Sequence, residues 1–157
     1  MFTYRRPVRF AEVDAARLVF FPRFLEYCHD ALEALFAELP GGYAHLTQVR
    51  DIGIPTVRVE MDFAAPLRYG DVAIIEIEVL EVGRTSVRVR HTIRREHSGG
   101  GGSPGGGEGL QPCDPPAPAP VCAIATHVFV TTRLTTLEAV SVPEDVRAIL
   151  KRHSAQG

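Results

Sequence analysis

The chain has 157 residues, of which 45% are hydrophobic, and it carries a formal net charge of −2. These values predict one domain with its own core and give no electrostatic footprint for a nucleic-acid partner. The N-terminus lacks an apolar run of signal-peptide length and no later stretch could span a bilayer, so we expect no membrane partner and a cytoplasmic location.

The segment 8–24, VRFAEVDAARLVFFPRF, carries most of the chemical information in the chain. It begins with strand-like alternation at Val8 and Phe10 and then has two carboxylates one residue apart, Glu12 and Asp14. A short apolar run leads to Pro22, a residue favoured in the first turn of a helix. A carboxylate is therefore close in sequence to a helix N-terminus with free backbone N–H groups. That combination suits attack on a carbonyl group.

Hydrophobic periodicity predicts one long helix followed by antiparallel strands. Apolar residues recur at helical spacing over 23–39, and Pro40-Gly41-Gly42 ends the helix. Alternating apolar and polar residues predict half-buried strands over 56–64, 75–79 and 87–93. This element order is an α+β pattern.

The C-terminal part adds a strand and a short helix. Residues 121–132 are more continuously apolar, which predicts a strand buried on both faces or packed at an interface. The last helix is predicted to start near Pro143. The three cysteines, Cys28, Cys113 and Cys122, are odd in number and lack metal-ligand spacing, so we expect neither a disulfide framework nor a metal site.

Residues 97–120 interrupt the pattern because glycine and proline fill most of the segment. Such a composition cannot bury enough apolar surface to offset the entropy of ordering it, so we predict a disordered loop between neighbouring antiparallel strands. A long loop is tolerated, since closure costs only about 0.6 kcal/mol per doubling of length. An interdomain linker is the alternative, but too few residues follow for a second core. Residues 1–157 are therefore predicted to form a single domain.

Several motifs resemble those of hotdog-fold acyl-CoA thioesterases of the 4-hydroxybenzoyl-CoA thioesterase type. The first is F-x-E-x-D, followed by an apolar run, F-F-P-x-F and an amphipathic helix. The others follow in the family's order: Val59-Glu60-Met61-Asp62-Phe63, Ala65-Pro66-Leu67, Gly70-Asp71, Gly83-Arg84-Thr85-Ser86-Val87 and Ser141-Val142-Pro143. The resemblance implies an antiparallel sheet wrapped around one long helix. It also implies a homodimer or homotetramer with active sites between subunits.

The resemblance also assigns roles to individual residues in acyl-CoA hydrolysis. Asp14 matches the family's catalytic aspartate, which attacks the carbonyl or activates water. The backbone N–H of Phe21 would bind the thioester oxygen as an oxyanion hole. Arg84 and Ser86 match positions that often contact coenzyme A. Where relatives commonly have Asp-Pro-Ala-Gly, this chain ends the same motif in Arg17, which would lie beside the acyl group of the substrate. No metal or redox cofactor is needed.

Plainer roles compete with several of these assignments. Asp14 could instead cap a turn or pair with Arg17, and Glu12 is expected to be a structural ion-pair partner. Some hotdog enzymes draw their carboxylate from the long helix, so three helix residues remain alternatives: Glu26, Asp30 and Glu33. His91 falls on an apolar strand face and is expected to be packed with its hydrogen bonds satisfied. Cys28 is expected in the core.

The alternative function is a non-catalytic acyl-CoA binding or sensing module. Such a module would keep the acyl-CoA groove but would not need Asp14 for turnover. A hotdog dehydratase would need a histidine and a carboxylate converging on a β-hydroxy group, and the spacing here does not favour that pair.

Overall fold

The computed structural model describes residues 1–97 and 119–154. The N-terminal half contains, in chain order, β1 (Phe2–Pro7), a 3-10 turn (Phe10–Glu12), α1 (Arg23–Phe36), α2 (Gly42–Gln48), β2 (Ile52–Gly53) and β3 (Thr56–Phe63). The C-terminal half contains β4 (Asp71–Val82), β5 (Ser86–His97), β6 (Val121–Val130), β7 (Thr132–Arg133) and α3 (Glu144–Arg152). Among the described residues, no helix is both long and apolar enough to cross a membrane.

Five strands form one antiparallel sheet in the order β1-β4-β5-β6-β3, while β2 and β7 pair separately. Strand β4 pairs with β1 on one side and with β5 along its length on the other. Strand β3 is at the edge of the sheet, where Thr56 lies opposite Phe129 and Phe63 opposite Ala123. Within the described ranges, the outer edge of β3 has no partner strand.

The core lies between α1 and one face of this sheet. Helix α1 buries the side chains at its predicted apolar positions, from Phe24 to Phe36. Alternate residues of β4 are also fully buried, including Ile75 and Ile77. One cluster of buried apolar side chains joins the helices to the sheet. The predicted α+β class, with an antiparallel sheet around one long helix, is confirmed.

The N-terminal segment differs from its predicted local structure. The first strand is β1, and Val8 and Phe10 do not start a strand because Phe10 lies in the 3-10 turn. The Glu12 carboxylate accepts a hydrogen bond from the Arg9 N–H at 2.9 Å and closes that turn. Helix α1 ends at Phe36, earlier than predicted, because the chain tightens into non-helical turns before Pro40.

The edge strand is also more exposed than its alternating pattern predicts. In β3 only Met61 is even half-buried, and Val57 and Phe63 are 60% and 52% exposed. A strand at the sheet edge has a neighbour on one side only, so its apolar residues lack part of their cover. Strand β6 is not buried on both faces either, because Ile124 is 41% exposed while its neighbour Ala123 is buried.

The strands that flank the Gly/Pro-rich segment, β5 and β6, pair antiparallel as predicted. Most of that segment, residues 98–118, lies outside the described residues, and so does its predicted disorder. The single-domain organisation of 1–157 therefore stays a prediction.

Candidate active site

Asp14 lies in an exposed loop that the backbone holds in a hairpin-like shape. Val13 and Val19 form an antiparallel bridge, and the Asp14 N–H donates to the Leu18 carbonyl at 2.8 Å. Val19 is buried, and its N–H donates to the Leu67 carbonyl at 2.8 Å just before β4. The loop is therefore fixed to the body of the domain although its tip is open to solvent.

The two carboxylate oxygens of Asp14 have different surroundings. Oδ1 accepts hydrogen bonds from the Ala16 N–H at 2.8 Å and the Leu18 N–H at 3.4 Å. The turn-capping role considered for Asp14 is thus present, whereas an ion pair with Arg17 is not found among the described residues. Oδ2 has no hydrogen-bond partner in the same ranges. One oxygen orients the side chain and the other is available for chemistry.

Arg17 occupies the backbone conformation that makes this loop possible. Its φ is +62°, in the left-handed region where a Cβ atom is unfavourable. Glycine adopts that conformation without steric cost, which accounts for the glycine in the motif that this loop resembles. The Arg17 side chain is exposed beside Asp14 at the loop tip.

Glu12 anchors the loop from the buried side. Its carboxylate forms an ion pair with Arg6 and accepts hydrogen bonds from the Tyr27 hydroxyl at 2.7 Å and the Arg9 N–H at 2.9 Å. Arg6 also binds Asp30 at 2.6 Å and lies 4.5 Å from the centre of the Tyr27 ring. Burial and the Glu12 carboxylate raise the pKa of Tyr27 well above its usual value, so its hydroxyl stays a donor. The structural ion-pair role expected for Glu12 is observed.

The N-terminus of α1 presents a free backbone donor at Phe21. The Phe21 N–H has no hydrogen-bond acceptor in the described part of the chain, and Pro22 has no N–H at all. The Phe21 carbonyl accepts from the Phe24 N–H at 3.2 Å, so the residue is fixed by the first turn. Its ring is 63% exposed and packs edge-on against Phe63 with centroids 6.4 Å apart.

Arg84 and Ser86 lie in the turn between β4 and β5. The Gly83 N–H donates to the Ser86 carbonyl at 2.8 Å, and the Arg84 carbonyl accepts from the Val142 N–H at 2.8 Å. The Arg84 side chain is exposed and has no ion-pair partner among the described residues. Ser86 is half-buried.

Within a single chain the loop that carries Asp14 does not meet the turn that carries Arg84 and Ser86. The Asp14 loop is bonded to the chain just before β4, and Arg84 follows the end of that strand. Strand β4 has 12 residues. At about 3.3 Å per residue, the two ends of such a strand are roughly 36 Å apart.

The three helix carboxylates differ in their pairing. Glu26 is exposed and forms an ion pair with Arg23 at 2.8 Å. Asp30 is bound to Arg6, and Glu33 is exposed without an ion-pair partner in the described residues. Asp14 lies on the loop that precedes the free Phe21 N–H, whereas these three carboxylates follow it along α1.

A cavity of about 250 Å³ opens between α1 and strands β3 and β6. Its walls are mostly apolar, and two of its lining residues, Cys28 and His127, belong to a buried polar cluster. The remaining lining residues are Leu25, His29, Leu32, Thr56, Val59 and Phe129. The sequence did not predict this cavity.

The buried polar cluster consists of Cys28, His91 and His127, whose ligand atoms lie within 4.8 Å of one another. Both ring nitrogens of His91 and Nε2 of His127 lack hydrogen-bond partners in the described ranges. His91 is packed as expected, but the expectation that its hydrogen bonds are satisfied is wrong, since neither ring nitrogen has a partner in the described residues. A Cys28 backbone group lies near the His91 ring, but its geometry falls short of a hydrogen bond. Cys28 is 1% exposed and its core position is confirmed.

Burial shifts the titration of all three groups in this cluster. Desolvation, and then the neighbouring His127, lower the pKa of His91 to about 3. Desolvation also lowers the pKa of His127 and raises that of the Cys28 thiol to about 12. In the absence of a ligand, the cluster therefore contains neutral imidazoles and a neutral thiol at pH 7.

Solved structures share this architecture over nearly the full chain. A 1,4-dihydroxy-2-naphthoyl-CoA thioesterase from Synechocystis superposes with a TM-score of 0.75 at 23% identity, covering 96% of this chain and 95% of that one. A 4-hydroxybenzoyl-CoA thioesterase, an aspartate-to-asparagine mutant complexed with 4-hydroxybenzoyl-CoA, superposes with a TM-score of 0.74 at 23% identity, covering 94% and 96%. The fold is the hotdog fold, as predicted.

The sequence itself is similar to curated relatives and to a family profile. The chain is 33% identical over 99 residues to the 1,4-dihydroxy-2-naphthoyl-CoA hydrolase of Synechococcus elongatus, covering 61% of this chain and 71% of that protein. The profile of the thioesterase-like superfamily matches residues 8–150. The chain belongs to the thioesterase-like superfamily. The predicted thioesterase class is confirmed, and the 4-hydroxybenzoyl-CoA type is one structural neighbour among several.

Proposed function

We propose that the protein hydrolyses an acyl-CoA thioester to a free acid and coenzyme A. The observation that carries this proposal is that the loop leading into α1 holds both a carboxylate oxygen of Asp14 and a backbone N–H of Phe21 without hydrogen-bond partners among the described residues. Similarity to proteins named as CoA thioesterases and CoA hydrolases supports coenzyme A as the carrier of the acyl group. The cytoplasmic location remains a prediction from the sequence.

The chemistry follows from these two groups. The thioester oxygen accepts a hydrogen bond from the Phe21 N–H, where the positive end of the helix dipole stabilises the developing oxyanion. Oδ2 of Asp14 either attacks the carbonyl carbon or removes a proton from the attacking water. In the first route coenzyme A leaves as a thiolate and water hydrolyses the resulting anhydride. In the second, water adds directly before the C–S bond breaks.

We infer that Arg84 and Ser86 reach the same substrate from a second copy of the chain. The exposed apolar residues of β3 favour pairing of this edge with the same edge of another protomer. Thr56 lies at the Ser86 end of the sheet, because Thr56 pairs with Phe129 and Ser86 with the adjacent Val130.

The opposite end of β3 is close to the proposed oxyanion hole. Phe63 ends the strand and packs against Phe21. Antiparallel pairing of two β3 strands therefore brings the Asp14 end of one protomer beside the Arg84 turn of the other. In the resulting homodimer Arg84 binds phosphate groups of coenzyme A, Ser86 donates a hydrogen bond and Arg17 lies beside the acyl group. A tetramer of two such dimers is compatible with this arrangement.

Release of free coenzyme A from a panel of acyl-CoAs tests the activity. The panel includes 1,4-dihydroxy-2-naphthoyl-CoA and 4-hydroxybenzoyl-CoA, because the compared proteins carry those substrates in their names, together with aliphatic acyl-CoAs. We expect Asp14→Asn to fold as before while kcat falls by about a hundredfold or more, the scale of losing a general base. An asparagine keeps the size and turn-capping capacity of Asp14 but cannot accept the proton.

The matched control is Glu138→Gln, which neutralises an exposed carboxylate that lies outside α1 and should leave kcat within about twofold. A near wild-type rate for Asp14→Asn would reject its catalytic role and move the test to the helix carboxylates Glu26, Asp30 and Glu33.

The alternative is a non-catalytic acyl-CoA binding or sensing module. The turn-capping bonds of Asp14 favour it, since they give the carboxylate a structural reason to be present. Binding of acyl-CoA by both wild-type and Asp14→Asn protein, without hydrolysis by either, would support this module and exclude the enzyme.

A further inference from the structure

We propose that Cys28, His91 and His127 form a site for one zinc ion in the wall of the cavity beneath α1. The three side chains come from α1, β5 and β6, and each is at most 7% exposed. Their ligand atoms all lie within 4.8 Å of one another. This site is separate from Asp14 and Phe21, and it does not depend on the proposed hydrolysis.

The unpartnered nitrogens are the observation that points to a ligand. Three imidazole nitrogens of His91 and His127 have no hydrogen bond within the described residues, although both rings are buried. A buried polar group without a partner has lost its hydrogen bonds to water and gained none, so three such nitrogens in one place are unfavourable unless something binds them. Together with the Cys28 thiol they place three potential ligand atoms within 4.8 Å of one another. A bound ion satisfies one nitrogen of each ring and the sulfur together.

The donor set selects the kind of ion. One sulfur and two imidazole nitrogens suit zinc or a similarly soft ion, whereas magnesium and calcium prefer oxygen. Zinc requires Zn–S and Zn–N distances of about 2.3 and 2.0 to 2.1 Å, which puts ligand atoms roughly 3.5 Å apart in a tetrahedron. The observed spread is within 4.8 Å. Small side-chain rotations are enough to bring the three ligand atoms from the observed spacing to the tetrahedral one.

The cavity supplies both a path and a fourth coordination position. Cys28 and His127 line the cavity, while His91 is fully buried behind them. An ion bound to all three would therefore have its remaining position on the cavity side. Three protein ligands with one open position are the pattern of zinc sites that bind water or a small ligand. The same ion would tie α1 to β5 and β6.

Titration of the protein with Co²⁺, after removal of any polyhistidine tag, tests the site. We expect one equivalent to produce thiolate-to-cobalt charge-transfer absorption and the intense visible bands of tetrahedral cobalt. One equivalent of Zn²⁺ should displace it and raise the thermal midpoint, as any ligand specific to the folded state does. Cys28→Ser should lose the charge-transfer band, and His127→Gln should weaken Co²⁺ binding at least about tenfold while keeping the fold.

The control is the double variant Cys113→Ser and Cys122→Ser, which removes the other two thiols and should keep the band. The proposal is overturned if wild-type protein shows no charge-transfer band, as expected if the cluster holds only a water molecule. It is equally overturned if the band survives in folded Cys28→Ser protein.

Discussion

At the scale of single residues, the backbone conformation of Arg17 is sterically unfavourable. Its φ of +62° is unfavourable for a residue with a Cβ atom by about 1 to 2 kcal/mol, and glycine avoids that cost. The greater backbone entropy of unfolded glycine offsets part of the gain. We predict that Arg17→Gly raises the free energy of unfolding by about 0.5 to 1 kcal/mol, measured by urea denaturation.

Arg17→Ala separates backbone strain from charge. Alanine removes the guanidinium but keeps the Cβ atom, so its stability should stay close to that of the wild type. Equal stabilisation by both substitutions would show that the Arg17 side chain, and not its backbone conformation, causes the effect.

The sequence was informative for residues whose chemistry is local. Asp14 and Phe21 are seven positions apart, and one loop connects them, so their spacing alone predicted a carboxylate near a helix N-terminus. Cys28, His91 and His127 are brought together by folding from three distant elements. The usable signal was that Cys28 and His91 both fell on predicted apolar faces, which suggested packing and not a shared site.

At the scale of secondary-structure elements, helix α3 fixes the turn between β4 and β5. Arg147 donates to the carbonyls of Val82 and Gly83 at 3.2 and 2.8 Å. In addition, the Val79 N–H donates to the His153 carbonyl at 3.1 Å, and Asp145 pairs with Arg50. The turn that carries Arg84 is therefore fixed by the C-terminal helix.

Loss of the Arg147 contacts should destabilise the domain. Arg147→Met keeps a long apolar stem but removes both donors, so we predict a loss of about 2 kcal/mol in the free energy of unfolding. Arg152→Met on the same helix is the control, because Arg152 is 61% exposed and its ion pair with Glu38 should contribute little. Urea denaturation of the two variants gives the comparison, and equal losses would contradict the proposed docking role.

Elements with a clear apolar pattern were predictable, and those without one were not. Helix α1 and strands β3, β4 and β5 were predicted from apolar periodicity, and β6 was predicted from its continuous apolar run. Strand β1 was missed because Arg6 occupies a buried position, where Glu12 and Asp30 neutralise its charge. Helix α2 was missed because it has seven residues and buries only Leu46.

At the scale of the whole molecule, the residues assigned to the proposed active site do not meet within one chain. Asp14 and Arg84 lie at opposite ends of the sheet, and the apolar edge of β3 is uncovered in the described structure. The sequence could not show this, because alternation along β3 is the same whether its apolar face is buried inside one chain or between two. Only the strand order identifies β3 as an edge.

Mixing two inactive variants tests whether two protomers build each site. Asp14→Asn removes the proposed nucleophile or base, and Arg84→Ala weakens coenzyme A binding, so each homodimer should have low kcat/KM. In a mixed dimer of two-fold symmetry one site carries both substitutions and the other carries neither. After subunit exchange at equal concentrations, half of the dimers are mixed, so activity should recover to about one quarter of wild type at low substrate. Activity equal to the mean of the two parents would mean that Asp14 and Arg84 act within the same protomer, and the proposed β3 pairing would be wrong.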